Sequence, residues 1–325
     1  MRHLIGYTMS AIVIAAVALA FSPRQPAPLA ATQINADRVQ VNALIADGGQ
    51  LLGVGERGTI LVSHDGGASW QTRQVNGGRD ATLTAITALA NGVLVAVGHD
   101  GWILRSTDGG QQWQEMHYDA ELGEPLLGVW SADGKHVVAY GSYGKYLESD
   151  DAGQHWAARE MPGEGAHFNG LDGAVDGRQM LVGEQGLVLR SNDGGQHWQS
   201  LTPFYNGSLF GVVRLSAERW LAYGMRGNVF LSSDFGDTWQ RVDVGSTQPI
   251  YGHARLPGNQ GLVLVGAGSR LIRLDAEGAV LDSSQRSGLG TLTSALVLNA
   301  RHLLVAGERG VYQGSNGDAL TASAR

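Results

Sequence analysis

The sequence has 325 residues, of which 43% are hydrophobic and 16% are charged, and its formal net charge is -7. This negative charge argues against a nucleic-acid partner, because little in the chain offsets repulsion from phosphates. The absence of cysteine excludes disulfide bonds, thiol catalysis, cysteine-based metal sites and a lipidated N-terminal cysteine. The 48 glycines show no G-X-Y period and suit a fold of many short strands and tight turns.

The N-terminal segment has the pattern of a secretory signal. Arg2 forms a short basic region, residues 4–20 are almost wholly apolar, and Ala18-Leu19-Ala20 resembles a cleavage site. Cleavage after Ala30 and retention as an uncleaved anchor are the alternatives. The pattern predicts a periplasmic or extracytoplasmic protein. Three segments follow: a signal peptide (1–20), a disordered leader (21–32) and a folded domain (33–325).

A repeat of about 42 residues runs through the folded domain. The pattern S-x-D-x-G-x-x-W occurs five times, with 41 to 43 residues between successive tryptophans. Fifteen residues before each tryptophan lies a glycine that ends an apolar run, and this glycine series continues past the last tryptophan. Its seven members are Gly55, Gly98, Gly141, Gly183, Gly224, Gly266 and Gly307. Seven repeats therefore account for the whole domain.

The second repeat shows the internal plan most clearly. Asn91-Gly92 is a strong hairpin-turn signal between two apolar runs. The predicted strands are "TLTAITAL" (82–89), "VLVAVG" (93–98), "WILRS" (102–106) and "QWQEMH" (112–117). Seven four-stranded antiparallel units predict an all-β fold, a seven-bladed β-propeller.

The ends of the domain bear on how the ring closes. The seventh repeat fades after "GVYQGS" into "NGDALTASAR", without a clear fourth strand. Residues 34–41, "INADRVQV", precede the first inner strand and have no earlier strand to pair with. We therefore expect this N-terminal strand to close the last blade as its outer strand. Truncation of residues 33–41 is then expected to lower the melting temperature sharply.

The five copies of the S-x-D-x-G-x-x-W pattern, which we call boxes, fall at the turn between the third and fourth strands. Asp suits this turn because its carboxylate accepts backbone N–H groups two residues on, and the fifth-position Gly allows a positive φ. Trp fills the gap between blades. One copy in each of five blades indicates a structural role, with His197 incidental. The sixth and seventh repeats, which lack the Trp, are expected to be looser. The structural residues are Asp65, Trp70, Asp108, Trp113, Asp151, Trp156, Asp193, Trp198, Asp234 and Trp239.

This pattern resembles the Asp-box (BNR) repeat of sialidases and of several non-enzymatic propellers. The fuller repeat, seen as "VGERGTILVSHDGGASW" and "VGEQGLVLRSNDGGQHW", most resembles the photosystem II stability/assembly factor family. That resemblance implies a seven-bladed propeller that acts in the assembly of a membrane complex without catalysis. We therefore expect a monomeric, non-enzymatic scaffold that binds a protein partner of a membrane-associated complex and that needs no cofactor.

The alternative function is a carbohydrate-active propeller, either a sialidase-like glycoside hydrolase or a glycan-binding protein. Sialidases carry three substrate-binding arginines, a Tyr-Glu nucleophile pair and an N-terminal Arg-Ile-Pro element, and they have six blades. The chain has no Arg-Ile-Pro element, and its repeat count is seven. No metal site is expected, because His64, His155 and His197 fall at box turns and no H-x-x-x-H spacing occurs. Calcium in a box or in the central channel stays open.

Arginines in two rows are the candidate partner-binding residues. Equivalent turns of a propeller lie on one face, so the turn residues of adjacent blades one and seven are expected to be neighbours. We predict a docking patch for a carboxylate-rich or lipid-headgroup partner; a solvated turn with a local Glu-Arg pair is the alternative. The G-x-x-G turn row is Arg57, Arg226 and Arg309, and the third-strand row is Arg105, Arg190 and Arg273.

Aromatic residues near the loops are candidates either for the channel mouth or for packing between blades. Packing is expected for most of them, with a minority contacting a partner. They are Trp102, Trp130, Tyr143, Phe168, Tyr205, Phe210 and Tyr251.

Overall fold

The computed structural model divides the chain into two compact units, residues 1–34 and residues 35–325. In the first unit, helix α1 spans Arg2–Ala20. Among the described residues, no helix combines the length and the apolar character needed to cross a membrane. The predicted leader, 21–32, lies outside the described residues. The structure describes residues 2–20, 38–73, 75, 78–163, 165–299, 302–315 and 321–322.

The second unit is a seven-bladed β-propeller, and each blade is a four-stranded antiparallel sheet in simple sequence order. Blade 1 contains β1 (Val41–Asp47), β2 (Gln50–Gly55), β3 (Ile60–Ser63) and β4 (Gln71–Arg73). Blade 2 contains β5 (Leu83–Ala88), β6 (Leu94–Gly98), β7 (Ile103–Ser106) and β8 (Gln114–His117). Blade 3 contains β9 (Leu126–Trp130), β10 (Val137–Gly141), β11 (Tyr146–Ser149) and β12 (Ala157–Ala158).

The remaining blades repeat this order. Blade 4 contains β13 (Phe168–Gly173), β14 (Gln179–Gly183), β15 (Val188–Ser191) and β16 (Gln199–Ser200). Blade 5 contains β17 (Leu209–Arg214), β18 (Trp220–Gly224), β19 (Val229–Ser232) and β20 (Gln240–Val242). Blade 6 contains β21 (Ile250–Arg255), β22 (Leu262–Gly266), β23 (Arg270–Leu274) and β24 (Val280–Gln285). Blade 7 contains β25 (Leu292–Val297), β26 (His302–Gly307), β27 (Gly310–Ser315) and β28 (Thr321–Ala322).

The four strands predicted for the second repeat are confirmed as β5 to β8. The first hairpin turns at Asn91, which adopts the left-handed conformation with φ of 58° that Asn tolerates better than most residues. The apolar second strand is buried along its whole length, because it lies in the middle of the blade with neighbouring blades on both faces.

The seven-member glycine series has a steric cause. Each of these glycines ends a second strand, opposite a register shift at the start of the inner strand of the same blade. A Cβ added to Gly98 would lie 2.1 Å from the Thr82 carbonyl oxygen, and one added to Gly55 would lie 1.9 Å from the Gln40 oxygen. The backbone approaches too closely for any side chain, so this glycine is required once in every blade.

The core consists of seven hydrophobic clusters, each formed by two neighbouring blades. The cluster between blades 7 and 1 joins Leu304 to Val41, and it completes the ring. Hydrogen bonds reinforce this contact: the Thr293 hydroxyl donates to the Val41 carbonyl at 3.0 Å, and the Leu44 amide donates to the Ser294 hydroxyl at 3.1 Å. Packing between blades therefore carries the hydrophobic stabilisation of the fold.

The predicted ring closure by the N-terminal strand is wrong in its detail. The fourth strand of blade 7 is β28, near the C-terminus, which pairs with Tyr312 and Gln313 of β27. Two residues are enough to form an outer strand here, so the sequence signal was too short to recognise. Val41 starts the inner strand of blade 1 and pairs with β2, while Val39 packs in the cluster between blades 7 and 1. Residues 34–37 lie outside the described residues.

Candidate docking surface

The propeller has two different ends. Because successive strands are antiparallel, the turns between second and third strands share one end with the connections between blades. We call this end the turn face. The turns between first and second strands and the boxes between third and fourth strands lie at the opposite end, which we call the box face.

The boxes are closed hydrogen-bonded turns, as the fourth copy shows. The Ser191 hydroxyl donates to Asp193 Oδ1 at 2.7 Å and accepts the Gly195 amide at 2.9 Å. Asp193 Oδ1 also accepts the His197 amide at 2.9 Å, four residues on, where we expected a bond two residues on. The turn is wider than an Asx turn because two successive residues, Gly194 and Gly195, have positive φ.

The seventh position of the box is also part of the turn. The His197 ring Nδ1 lies 2.7 Å from Asp193 Oδ2, and His155 makes the same contact with Asp151 at 2.6 Å. The expectation that His197 is incidental is therefore wrong. Hydrogen bonds from the His197 amide and ring hold the pKa of Asp193 well below its usual range. In the first box, bonds from the Ser69 hydroxyl and amide lower the pKa of Asp65 to about 2.

The box tryptophans pack between blades. Trp113 is fully buried in the cluster between blades 1 and 2, and its Nε1 donates to the Gly110 carbonyl at 3.0 Å. The other four, Trp70, Trp156, Trp198 and Trp239, pack against the clusters that their blades form with the preceding blades. The two clusters without a box tryptophan are those between blades 5 and 6 and between blades 6 and 7.

The third-strand arginines do not share a face with the turn arginines. They lie near the box end of their strands, and two of them contact the next blade. Arg105 Nε donates to the Ala152 carbonyl at 2.7 Å, and Arg190 Nη1 donates to the Phe235 carbonyl at 3.0 Å. Both acceptors are the fourth residue of the next blade's box. The third member, Arg273, has a buried Nε without a hydrogen-bond partner among the described residues. Sequence position alone did not reveal this contact between blades.

The turn arginines are exposed at the tips of the turn face. Arg57 and Arg226 have φ of 54° and 58°, in the left-handed region that favours glycine. Arg309 Nη1 donates to the Gly288 carbonyl at 2.9 Å. Among the described residues, none of the three forms an ion pair with a carboxylate.

The glutamates beside Arg57 and Arg309 accept backbone amides and do not form the local Glu-Arg pair that the sequence left as the alternative. Glu56 accepts the Gln40 amide at 3.1 Å, and Glu308 accepts the Thr291 amide at 3.1 Å. Each glutamate therefore ties its turn to the segment that leads into the inner strand of its own blade. The neighbouring guanidinium groups are left without a local carboxylate.

Two of the seven candidate aromatics are exposed, and both lie on the turn-face side. The side chain of Tyr143, at a turn tip, is 63% exposed and contacts the His167 ring edge-on at 4.8 Å. Tyr251 is 38% exposed and stacks on Phe210 at 5.2 Å. The other candidates are buried or half-buried, with Trp102 and Phe168 fully buried and Trp130 and Tyr205 packed against clusters between blades.

The stacked pair interrupts a ladder of hydrogen bonds around the inner strands. The second inner-strand residue donates to the first inner-strand carbonyl of the next blade in several places. Asn42 Nδ2 bonds to the Leu83 oxygen at 2.8 Å, and Asn169 Nδ2 bonds to the Leu209 oxygen at 2.9 Å. Phe210 and Tyr251 occupy the same position in blades 5 and 6. The start of these inner strands is therefore apolar on one side of the ring.

Carboxylates near the inner strands are held by arginines. Asp172 lies 2.6 Å from Arg255, and Asp176 lies 2.6 Å from Arg214. Within the part of the chain that the structure describes, no group of three histidine or acidic residues is arranged to hold a metal ion.

Comparison with known proteins agrees with this fold. Residues 28–169 match the family model described as Photosynthesis system II assembly factor YCF48. The chain resembles this assembly-factor family. A solved YCF48 bound to D1 peptide is 18% identical, with 91% of this chain and 99% of that chain covered and a TM-score of 0.68. YCF48 from Cyanidioschyzon merolae is 14% identical, with 88% and 98% covered and a TM-score of 0.69.

The likeness to YCF48 structures is one of fold, and other propellers share it. A GH74 enzyme from Niastella koreensis is 15% identical and has a TM-score of 0.71. The match covers 89% of this chain but only 54% of that enzyme. A search of curated proteins gives no match. The family model and the solved structures thus support the resemblance inferred from the repeat, and function rests on the surface residues.

Proposed function

We propose that this chain is an exported, non-catalytic propeller that binds a protein partner and acts as an assembly factor for a membrane-associated complex. The observation that carries this proposal is the set of exposed turn-face arginines, Arg57, Arg226 and Arg309, none of which has a carboxylate partner among the described residues. Unpaired guanidinium groups bind carboxylates with two parallel hydrogen bonds, so they suit an acidic protein surface.

The rest of the turn face supports a docking role. Tyr143 places an exposed aromatic side chain on the same face, and aromatic and arginine side chains are enriched where proteins bind each other. The box face differs, because its carboxylates and several of its arginines bond to one another. The match to the assembly-factor model supports the same assignment. Export is proposed from the signal-like pattern of residues 1–20.

The test is recovery of the partner complex from membranes with charge-reversed protein. The triple variant Arg57→Glu, Arg226→Glu, Arg309→Glu is expected to recover at least about tenfold less partner than the wild type, because like charges then face each other. Arg241→Glu, at an exposed position on β20, is the matched control and should leave recovery unchanged. Equal recovery by the triple variant and the wild type, with both folded, would contradict the docking role of these residues.

A carbohydrate-active propeller is the second candidate, and one observation favours it. A groove of about 420 Å³ lies between blades 4 and 5 on the box side. Arg178, His197, Trp198, Phe235 and Asp237 contribute to its lining, a mixture of aromatic and polar groups that can contact sugars. Hydrolysis of fluorogenic sialosides or glucans, abolished by Asp237→Asn, would favour this candidate over the scaffold. The scaffold predicts no turnover above that of buffer.

A further inference from the structure

Blade 6 has an unusually long outer strand. Its strand β24 runs for six residues, Val280–Gln285, and forms five residue pairs with β23. The outer strands of the other six blades have two to four residues in the structure: β4, β8, β12, β16, β20 and β28. The difference in length sets blade 6 apart.

The cause lies in the turn that precedes β24. Blade 6 has no box at this place, and a tight hairpin joins its third and fourth strands. The Asp275 carboxylate accepts the Glu277 amide at 3.0 Å and the Ala279 amide at 2.8 Å, and Gly278 has a positive φ. Because the chain turns within a few residues, β24 already pairs with β23 at its first residue, Val280, which lies opposite Leu274, the last residue of β23. In boxed blades the eight-residue box occupies that length.

The outer edge of β24 is open. The strand lies at the end of its sheet, and within the described part of the chain it pairs with β23 alone. Leu281, at the bulge that begins the strand, is 55% exposed, and Asp282 and Gln285 are also exposed. From Asp282 to Gln285 the register is regular, with no proline or lysine to block addition of another strand. Alternate backbone N–H and C=O groups of such an edge are available to an incoming strand.

The two ends of this edge differ in charge. Arg270 is paired in register with Gln285, and Arg286 is the next residue of the chain, so one guanidinium group lies on each face of the sheet at the turn-face end. The Nε atoms of both are buried without hydrogen-bond partners, and neither arginine forms an ion pair among the described residues. At the other end, Asp282 lies opposite Arg273. The turn-face end thus favours a carboxylate, and the Leu281 end favours an apolar side chain.

We propose that β24 is a docking edge on which an extended segment of a partner protein adds as a fifth strand of blade 6. The segment places an apolar side chain against Leu281 and an acidic side chain beside Arg286. These positions are about 16 Å apart, at about 3.3 Å per residue, so the two side chains are four or five residues apart in the partner. Main-chain hydrogen bonds supply affinity and the two side chains supply specificity. The inference rests on the proposed protein-binding function and adds a second contact to the turn-face arginines.

The test uses synthetic nine-residue peptides of alternating Thr and Val, capped at both ends and labelled with fluorescein. One peptide carries Leu near its N-terminus and Glu five residues later, a second carries them in reverse order, and matched peptides carry Lys in place of Glu. Fluorescence anisotropy with the full chain is expected to show that one Glu peptide binds at least about tenfold more tightly than its Lys counterpart. Amide exchange of residues 281–286 is expected to slow when that peptide is added.

Variants of the edge decide whether binding occurs there. Leu281→Lys and Arg286→Glu are each expected to weaken binding about tenfold, because one removes the apolar contact and the other reverses the charge. Arg241→Glu on the short outer strand of blade 5 is the matched control and should have no effect. Ser284→Pro and Gln285→Pro each remove one backbone N–H group, and these two neighbouring groups point to opposite edges of β24. The proline that removes the outward N–H group should block peptide binding without lowering the melting temperature.

Three results would overturn the inference. They are no binding of any Glu peptide, binding that Leu281→Lys and Arg286→Glu leave unchanged, and equal binding of Glu and Lys peptides. Concentration-dependent dimers that Leu281→Lys abolishes would assign the edge to a second copy of the chain, which also contradicts a partner segment. Loss of partner recovery in the turn-arginine variant, with intact recovery by the β24 variants, would leave the proposed function standing while this inference fails.

Discussion

Blades 2 and 6 differ in how their outer strands are made. In blade 2, a box joins β7 to β8, Trp113 is fully buried against blade 1, and the outer strand forms three residue pairs. In blade 6, the hairpin at Asp275 replaces the box, no tryptophan follows, and β24 forms five pairs. The box thus shortens the outer strand and places a large aromatic side chain between blades. In blade 6, the tight hairpin in place of the box leaves a longer, open edge.

The largest expected effect comes from removing the aromatic contact. Trp113→Ala should lower the free energy of unfolding by about 3–5 kcal/mol, since it empties a fully buried site. Val280→Ala, at the half-buried start of β24, should cost about 1 kcal/mol. Urea unfolding of the two variants measures the difference. Equal costs would contradict the view that the boxed blades depend on the tryptophan.

The inner strand of blade 6 and the boxes should lose stability in different pH windows. Burial lowers the pKa of His253 to about 4, while nearby Asp172 opposes the shift, and Tyr223 is hydrogen-bonded to the ring at 2.8 Å. The unfolded chain therefore binds a proton that the folded chain does not, between pH 6.5 and about 4. Stability should fall by up to about 3 kcal/mol as the pH drops through this window.

His253→Gln should flatten this dependence, as measured by urea unfolding at several pH values. The boxes act in a lower window. Because the pKa of Asp65 is lowered to about 2, its contribution is present above pH 4 and is lost as the pH falls from about 4 to 2. An unchanged slope between pH 6.5 and 4 in His253→Gln would show that another group titrates there.

Replacing the glycine that ends the second strand should destabilise blades with and without a box by the same amount. Gly98→Ala and Gly266→Ala each place a Cβ 2.1 Å from a carbonyl oxygen of the segment entering the inner strand, so each should cost about 2 kcal/mol. Gly66→Ala, whose Cβ meets nothing within 4 Å, should cost about 1 kcal/mol through its φ of 72°. Thermal unfolding compares the three. A much smaller cost at Gly266 would mean that blade 6 does not share the close backbone approach that requires this glycine.

The smallest expected effect concerns the hydroxyl at the start of the box. Ser106→Ala removes a buried group that bonds to Asp108 and accepts the Gly110 amide, and should cost about 1 kcal/mol. Ser284→Ala, in the half-buried middle of β24, should change stability by less than about 0.5 kcal/mol. Chemical denaturation with replicate titrations resolves this difference. A cost at Ser284 as large as that at Ser106 would remove the distinction between the box of blade 2 and the outer strand of blade 6.

Much of the fold could be predicted from the sequence because its causes repeat. Glycine is needed wherever the second strand meets the inner-strand bulge, and the box residues close the same turn five times, so their spacing counts the blades. The C-terminal outer strand was missed because two residues carry no periodic signal. The length of β24 had a signal in the absent box at Asp275, but an absent motif does not by itself indicate what replaces it.

The candidate site could be predicted only in part. The position of Arg57, Arg226 and Arg309 on one face followed from the repeat register. The role of Arg105 and Arg190 could not be predicted in this way, because their acceptors are carbonyl groups 45 to 47 residues away in the next blade. Backbone acceptors have no residue-type signature, so only the three-dimensional structure reveals such bonds.

The most direct test of the docking proposal compares two glutamines of blade 4, both exposed, at opposite ends of the propeller. Gln185 lies at a turn-face tip and Gln196 lies in the box. A photo-crosslinking residue is introduced at each position, and crosslinks to the partner complex are quantified in intact cells. The proposal predicts strong crosslinking from position 185 and little from position 196. Equal yields, or a higher yield from position 196, would contradict a partner bound at the turn face.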